Sequence, residues 1–299
     1  MTVVRPRRSV LYMPGSNARA LDKARGLPAD GLIFDMEDAV APDAKEVARE
    51  TIGTEMARGG YGRREIFIRI NGLSTIWGSD DLAAAVAARP DAVLVPKVSS
   101  EADLVRIEEA MAGLGADPAI RVWAMIETPL AILNLKEIAA SSTRAGSRLQ
   151  GFVLGLNDLA KETGAQFVDD RAPMVPWISL SLAAARAYGL GILDGVFNDI
   201  YDDEGYAAEC RQGREFGLDG KTLIHPRQIE VANQAFVPSV EEIEWAKTVV
   251  AVFQQPENAD KSAVKIEGRM VERLHAEMAE RTLALAGAIE ELDRLALAG

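Results

Sequence analysis

Cysteine is almost missing from this chain of 299 residues: Cys210 stands alone. One thiol excludes an intrachain disulfide and a cysteine-built metal cluster, and Cys210 reads as an ordinary helix residue. Long apolar runs are missing too. None approaches the ~20 residues needed to span a bilayer. The opening residues, MTVVRPRRSVLYMPG, carry neither a long apolar core nor a small-residue cleavage site, so the expectation is a cytoplasmic protein that meets no membrane. Positive charge is scarce: 33 Lys and Arg stand against 45 Asp and Glu, a net charge of −12. Nucleic-acid binders are ordinarily basic, which disfavours that partner. An anionic small molecule remains open, because local basic groups outweigh the total. Also lacking is a G-x-G-x-x-G turn. After the first apolar run stands PGSNARA, where a doubly wound dinucleotide sheet would show its glycine fingerprint.

What is present is a core-forming composition, 48% hydrophobic and 26% charged, ample for one large α/β barrel. Short apolar runs alternate with helical segments eight times within about 230 residues, close to the ~250 typical of a (β/α)₈ barrel. The expected strands are 9–14, GLIFDMEDAV running from Gly31 into Asp35, Glu37 and Asp38, 65–72, 92–98, VWAMI before Glu127, FVLGL before Asp158, GILDGVFNDI and 221–226. Expected helix caps include Asn17 or Ser16, Asp43, Ser99 or Ser100, and Ser239. Such alternation implies a parallel sheet with right-handed crossovers. The expected division is a barrel over 1–238 and an extension over 239–299. The extension is read as a helix to Phe253, a linker, a short hairpin around Gly268 and an Ala/Leu/Glu-rich helix to Leu297. It is too small for an independent core, so it must pack on the barrel or on a neighbouring subunit.

Active sites of such barrels lie at the carboxyl ends of the strands. Those ends carry Asp35, Glu37, Asp38, Arg69, Asn71, Lys97, Glu127, Asp158, Asn198 and His225. Glu127 and Asp158, on neighbouring strands, suit a hard cation such as Mg²⁺, which takes oxygen ligands and leaves positions for substrate. Salt bridges or helix caps are the structural alternative. Asp35, Glu37 and Asp38 suit orientation of the ion's waters. Arg69 suits donation to an oxygen that gains charge in the transition state, or mere neutralisation of the acids. Lys97 is structural or a Schiff-base amine. His225 reads as a hydrogen-bonded barrel-end histidine and His275 as a surface residue. Arg19, Lys23 and Arg25 form a basic cluster on the first helix, solvated or in contact with phosphate.

These motifs together resemble the citrate lyase β-subunit-like proteins of the HpcH/HpaI aldolase superfamily. The resemblance is carried by RSVLYMPGSNARALDKA (8–24), DGLIFDMEDAVAPDAK (30–45), IRINGLSTIWG (68–78), VPKV (95–98), AMIETPLAILN (124–134), GLNDLAKETGA (155–165), DGVFNDIYDDEGYAAEC (194–210) and DGKTLIHPRQIEVANQAFVPS (219–239). It implies a trimer or hexamer of (β/α)₈ barrels acting on short β-hydroxyacyl-CoA thioesters. Glu127 and Asp158 would hold Mg²⁺, with Mn²⁺ as the alternative ion. Arg69 would stabilise an enolate or carbonyl oxygen, and Asp35 and Asp38 would support the catalysis. Arg19 and Lys23 would meet CoA. The reaction implied is cleavage of a malyl-CoA or citramalyl-CoA type substrate into acetyl-CoA and a 2-oxo acid. A C-terminal acid, often from a neighbouring subunit, handles the proton. Lyases of this group carry Asp in G-x-M-[IV]-D; here the segment is Gly268-Arg269-Met270-Val271-Glu272. That departure, with the VERLH ending, resembles the branch of (3S)-malyl-CoA thioesterases, in which water attacks the thioester. A citrate lyase β subunit that acts only within a complex is the third reading.

Overall fold

A computed structural model describes residues 4–258 and 260–297, with side chains described to 294. The outermost residues of the two expected segments, 1–3 and 298–299, lie outside the described residues, as does Ala259 of the linker. The chain divides into two compact units, Arg7–Phe236 and Met1–Pro6 with Val237–Gly299.

In the first unit, eight parallel strands close in chain order: β1 (Ser9–Pro14), β2 (Gly31–Asp35), β3 (Glu65–Arg69), β4 (Ala92–Val95), β5 (Arg121–Ile126), β6 (Leu149–Leu154), β7 (Gly191–Asp194) and β8 (Gly220–Leu223), with β8 pairing back onto β1. The surrounding helices are α1 (Ala18–Ala24), α2 (Lys45–Arg58), α3 (Gly78–Ala88), α4 (Glu101–Gly113), α5 (Pro129–Leu133), α6 (Leu135–Ala140), α7 (Leu156–Thr163), α8 (Val175–Ala187), α9 (Asp203–Phe216) and α10 (Ile229–Ala235). This is the expected α/β barrel.

A strand's period of two sorts its residues between the helices and the barrel interior. Leu32, Phe34, Ile68, Val122 and Ala124 pack in the shell beneath the helices. Val10, Ile33, Phe67, Leu94, Trp123, Met125, Val153 and Leu193 fill the interior. Phe67 and Trp123 meet edge to face at 5.4 Å, and the indole fits because Gly151 faces it: a Cβ there would lie 2.6 Å from the ring. The same period carries Val10 to Tyr12, Ile33 to Asp35, Phe67 to Arg69 and Met125 to Glu127. Four functional side chains therefore rise from the interior layer toward one rim. The opposite end is closed by ion pairs from the chain entering β1: Arg8 to Asp30 at 2.8 Å and Arg7 to Glu65 at 2.5 Å, with the Arg7 guanidinium 4.9 Å over Trp123.

Local chemistry explains most element boundaries. Asn17 caps α1 by accepting from the Ala20 N–H, and Ser100 with Asp103 forms a capping box on α4. Several expectations change. β2 stops at Asp35, β3 at Arg69, β4 at Val95, β7 at Asp194 and β8 at Leu223, each short of its expected end. Asp43 does not cap α2; it sits in a 3-10 turn, Pro42–Ala44, and α2 begins behind Ala44 without a side-chain cap. The helix expected over 129–140 is two helices broken at Asn134. Asp158 does not end a strand: β6 stops at Leu154, and Asp158 lies in the first turn of α7.

The second unit contains α11 (Val240–Phe253), the antiparallel hairpin β9 (Ala263–Ile266) and β10 (Arg269–Glu272), and α12 (Arg273–Leu297). Ser239 and Glu242 form a capping box on α11, and Glu267 and Gly268 turn the hairpin with positive φ. Val249, Phe253, Val264, Ile266, Val271 and Ala276 make its own small core. Among the described residues no helix is long and apolar enough to cross a membrane.

Candidate active site

A cavity of about 320 Å³ opens at the carboxyl rim. Its lining includes Tyr12, Asp35, Asp38, Arg69, Glu127 and Asp158, with Asn157, Asn198 and the apolar Met125, Leu156, Val196 and Ile224. That volume suits a small ligand fragment.

Arg69 is the centre of the polar wall. Its Nε and Nη2 donate to the two oxygens of Asp35 at 2.7 and 2.6 Å, a bidentate pair. Nη1 lies 2.8 Å from Glu37 Oε2 and 3.7 Å from the Met125 sulfur. The Glu37 contact is an ion pair without hydrogen-bond alignment, for Oε2 has no hydrogen-bond partner. Burial works against the Arg69 charge, but Asp35, with Glu37 and its other neighbours, outweighs it and holds the guanidinium well above its ordinary pKa. Asp35 is itself fully engaged. Beyond Arg69 it accepts from the N–H groups of Glu37 and Ala39 at 2.8 and 2.9 Å, so it aims Arg69. Asp38 is different: its side chain is 65% exposed and 3.8 Å from Arg69, open at the cavity mouth.

Glu127 is 1% exposed and accepts from the Lys97 backbone N–H at 2.6 Å. Lys97 reaches that position with φ of 53°, a left-handed conformation that costs a non-glycine residue about 1 kcal/mol or more. Gly155, the N-cap of α7, completes the cradle. A Cβ there would lie 2.6 Å from Glu127 Oε2 and closer still to its Cβ, so only glycine leaves room for the carboxylate. Burial, and next the charge of Glu37, push the Glu127 carboxyl up to about 8. Five carboxylates (Asp35, Glu37, Asp38, Glu127 and Asp158) stand against three cations, Arg69, Lys97 and the buried Lys45. A buried carboxylate in such an excess of negative charge fits a divalent cation, which would favour its ionised form. Among the described residues no group of three or more His, Cys, Asp and Glu side chains is arranged around a metal. Mg²⁺ matches that economy, since one or two carboxylates with water and substrate suffice for it.

A family model, HpcH/HpaI aldolase/citrate lyase, matches residues 8–226. This chain belongs to that family. It is 50% identical to a (3S)-malyl-CoA thioesterase of Cereibacter sphaeroides over 95% of its own length and 96% of the relative. Citramalyl-CoA lyase of Homo sapiens is 29% identical over 96% and 87%. Among solved structures, the Mycobacterium tuberculosis protein CitE in complex with magnesium, acetoacetate and coenzyme A aligns with a TM-score of 0.74 at 30% identity, covering 93% of this chain and 97% of that one. The chain is thus an enzyme of the lyase or related CoA-thioesterase type, on the barrel shared by this family.

The other residues singled out from the sequence fall into separate places. Asn71 is structural, donating to Met36 O and Asp81 Oδ2 and accepting from the buried Lys45. His225 caps a 3-10 turn by accepting from Arg227 N–H and does not line the cavity. Asn198 does line it, exchanging hydrogen bonds with Asn157 at 3.0 and 2.9 Å. Lys97 does not suit a Schiff base. Burial opposes its charge, but Glu37 and Asp158 outweigh this and raise its pKa; the amine stays protonated where a nucleophile must be neutral. Arg25 leaves the basic cluster, held by Glu55 at 2.7 Å and stacked on Tyr61. Arg19 and Lys23 are exposed on α1, one helical turn apart. Glu272 belongs to the second unit, where its side chain is exposed and its N–H donates to His275 Nδ1.

Two features escape sequence reasoning. Tyr12 hides inside the apolar run SVLYMP, and only the strand's period of two points it inward. A second buried charge cluster lies at β7 and β8: Lys221 meets Asp194 at 3.0 Å and Glu209 at 2.6 Å, and Arg171 meets Asp194 at 2.9 Å. It ties the 164–174 segment and α9 to β7, just before Val196, and to β8, which carries Thr222.

Proposed function

We propose that this chain is a Mg²⁺-dependent thioesterase that hydrolyses malyl-CoA, or a close short 3-hydroxyacyl-CoA, to the free acid and CoA. The observation that carries the reading is one cavity lined both by an anion-binding guanidinium, Arg69, and by two carboxylates suited to a hard cation, Glu127 and Asp158. The choice of bond is supported by the 50% identity to a (3S)-malyl-CoA thioesterase, against 29% to a citramalyl-CoA lyase and 31% to a citrate lyase subunit beta.

Glu127 and Asp158 would hold the Mg²⁺, or Mn²⁺ in its place. When bound, the ion supplies Lewis-acid polarisation of a substrate carbonyl and offsets the negative charge of the site. Arg69, aimed by Asp35, donates to the substrate oxygen on which charge grows. Asp38, open at the cavity mouth, is placed to handle a proton from water. Arg19 and Lys23 would meet CoA phosphates. The extension, residues 239–299, would pack on a neighbouring subunit of a trimer or hexamer and bring Glu272 to that subunit's site as a second proton-handling acid. The exposed apolar side chains of Met270, Leu274 and Met278 around Glu272 support a covered surface there. The enzyme would work in the cytoplasm.

Carbon–carbon cleavage to acetyl-CoA and a 2-oxo acid is the second reading, favoured by the lyases among the relatives. Product analysis with malyl-CoA separates the two. Free CoA and malate without accumulation of acetyl-CoA supports hydrolysis; acetyl-CoA with glyoxylate supports cleavage. Turnover only in the presence of other subunits and an acyl-carrier thioester would replace both with the citrate lyase subunit reading.

A further inference from the structure

Arg69 is the obvious donor to the substrate, yet most of its hydrogen-bonding capacity is spent inside the protein. Nε and one N–H of Nη2 are held by Asp35, and one N–H of Nη1 by the Met125 sulfur. Of its five N–H groups, that leaves two for a ligand. Tyr12 has the opposite character. Its ring lies 4.7 Å beneath the Arg69 guanidinium, it lines the same cavity, and among the described residues its hydroxyl has no hydrogen-bond partner. A buried tyrosine hydroxyl usually finds a protein partner; that of the half-buried Tyr12 is left to water or a ligand. One that has none on the wall of a ligand cavity is placed to find it in the ligand.

We infer that Tyr12 is a catalytic residue, whose hydroxyl donates a hydrogen bond to the substrate oxygen that becomes negatively charged as the reaction proceeds. This rests on the reading of the cavity as the site of acyl-thioester chemistry. Burial is the main influence on the phenol, raising its pKa; Arg69 opposes this and Asp35 adds to it. The hydroxyl therefore keeps its proton at working pH and acts as a neutral donor. A neutral donor is what the site needs beside Arg69: another cation would be drawn into the carboxylates, and another carboxylate would repel the growing charge. The ring has a separate duty. Stacked beneath the guanidinium, it fixes the plane in which Arg69 presents its remaining N–H groups.

Tyr12→Phe separates the two roles, because it keeps the ring and removes only the hydroxyl. With malyl-CoA and Mg²⁺, the expected result is a fall in kcat on the order of 10²-fold, as for removal of one oxyanion donor. KM should change by less than about threefold and the melting temperature should stay unchanged. Tyr12→Leu, which also removes the stack, should lose more. Equal kcat for Tyr12→Phe and wild type overturns the proposal, as does a fall in kcat/KM residing wholly in KM. Should the wild type prove inactive on malyl-CoA, the function reading fails first. Calorimetric binding of oxalate with Mg²⁺, whose anionic oxygens imitate the charge that develops in the reaction, then tests Tyr12 alone. Weaker binding of oxalate to Tyr12→Phe sustains the contact; equal binding, or none by the wild type, overturns it.

Discussion

Gly155→Ala tests the site through the cradle that holds Glu127. The new Cβ would lie 2.6 Å from Glu127 Oε2 and nearer still to the Glu127 Cβ. Ordinary carbon–oxygen contact begins near 3.3–3.6 Å, so the two groups must separate by roughly 0.7–1.0 Å. Rotation of the Glu127 side chain cannot relieve the clash, because the obstacle includes its Cβ, fixed to the backbone beyond β5. The backbone of Gly155 itself poses no objection, with φ of −102°. The strain therefore falls on the carboxylate and on the joint between β6 and α7, which also carries Asp158. A 1 Å misplacement in an active site costs on the order of 10²-fold in rate. Overpacking costs about 1–3 kcal/mol of stability, and at roughly 2–4 °C per kcal/mol for a domain of this size the melting temperature should drop by several degrees. The assay is thioester turnover against Mg²⁺ concentration, run well below the melting transition. The expected variant needs more Mg²⁺ and turns over about 10²-fold more slowly. Wild-type Mg²⁺ dependence and rate would refute the cradle, and with it the claim that Gly155 is there for Glu127.

Asp194→Asn should destabilise the barrel by about 3–5 kcal/mol, since it leaves Lys221 and Arg171 buried beside a neutral group; denaturant unfolding measures it. The pH dependence follows from the same cluster. Burial raises the Asp194 carboxyl, but Lys221 and then Arg171 outweigh it and hold it below the usual 3.8. Its contribution is therefore present above that value and lost as pH falls through the lower folded one, so the acid limb of the stability curve should flatten in Asp194→Asn. Lys221 behaves in reverse: burial lowers it, Asp194 and Glu209 raise it further, and its contribution fades only as pH climbs past the usual 10.5. Ser239→Ala should cost α11 about 1 kcal/mol by breaking the capping box, read as a lower melting temperature, with the catalytic rate of the folded enzyme unchanged. Arg69→Lys should lower kcat/KM by 10²-fold or more, because an ammonium cannot answer Asp35 with two parallel donors; a loss below tenfold would count against a role for the bidentate pair.

The barrel was legible in the sequence because apolar runs and helical segments alternate with little interruption, and parallel strands buried on both faces leave that trace. Glu127 was legible for a related reason: VWAMI is an unbroken apolar run, so the acid after it had to emerge at a rim. Asp158 looked equivalent, but FVLGL hides a boundary. β6 ends at Leu154, and Gly155 starts α7, whose first turn favours an acid for its own electrostatic reasons. Tyr12 was invisible because an aromatic in an apolar run reads as core until the register sets which face is inside. Lys97 was noticed for its amine, whereas the structure uses its backbone N–H, a role no side-chain motif can announce. Lys45, Lys221 and Asp194 escaped since their partners are far apart in sequence, and only the fold brings their charges together.

The most direct test of the central claim uses protein stripped with EDTA and titrated with Mg²⁺, comparing wild type with Glu127→Ala on malyl-CoA. Wild-type turnover should vanish on stripping and return with Mg²⁺, while Glu127→Ala should stay at least about 10²-fold below it at every Mg²⁺ concentration. Full Mg²⁺-dependent turnover by Glu127→Ala would contradict the assignment of the cavity as the metal-assisted active site.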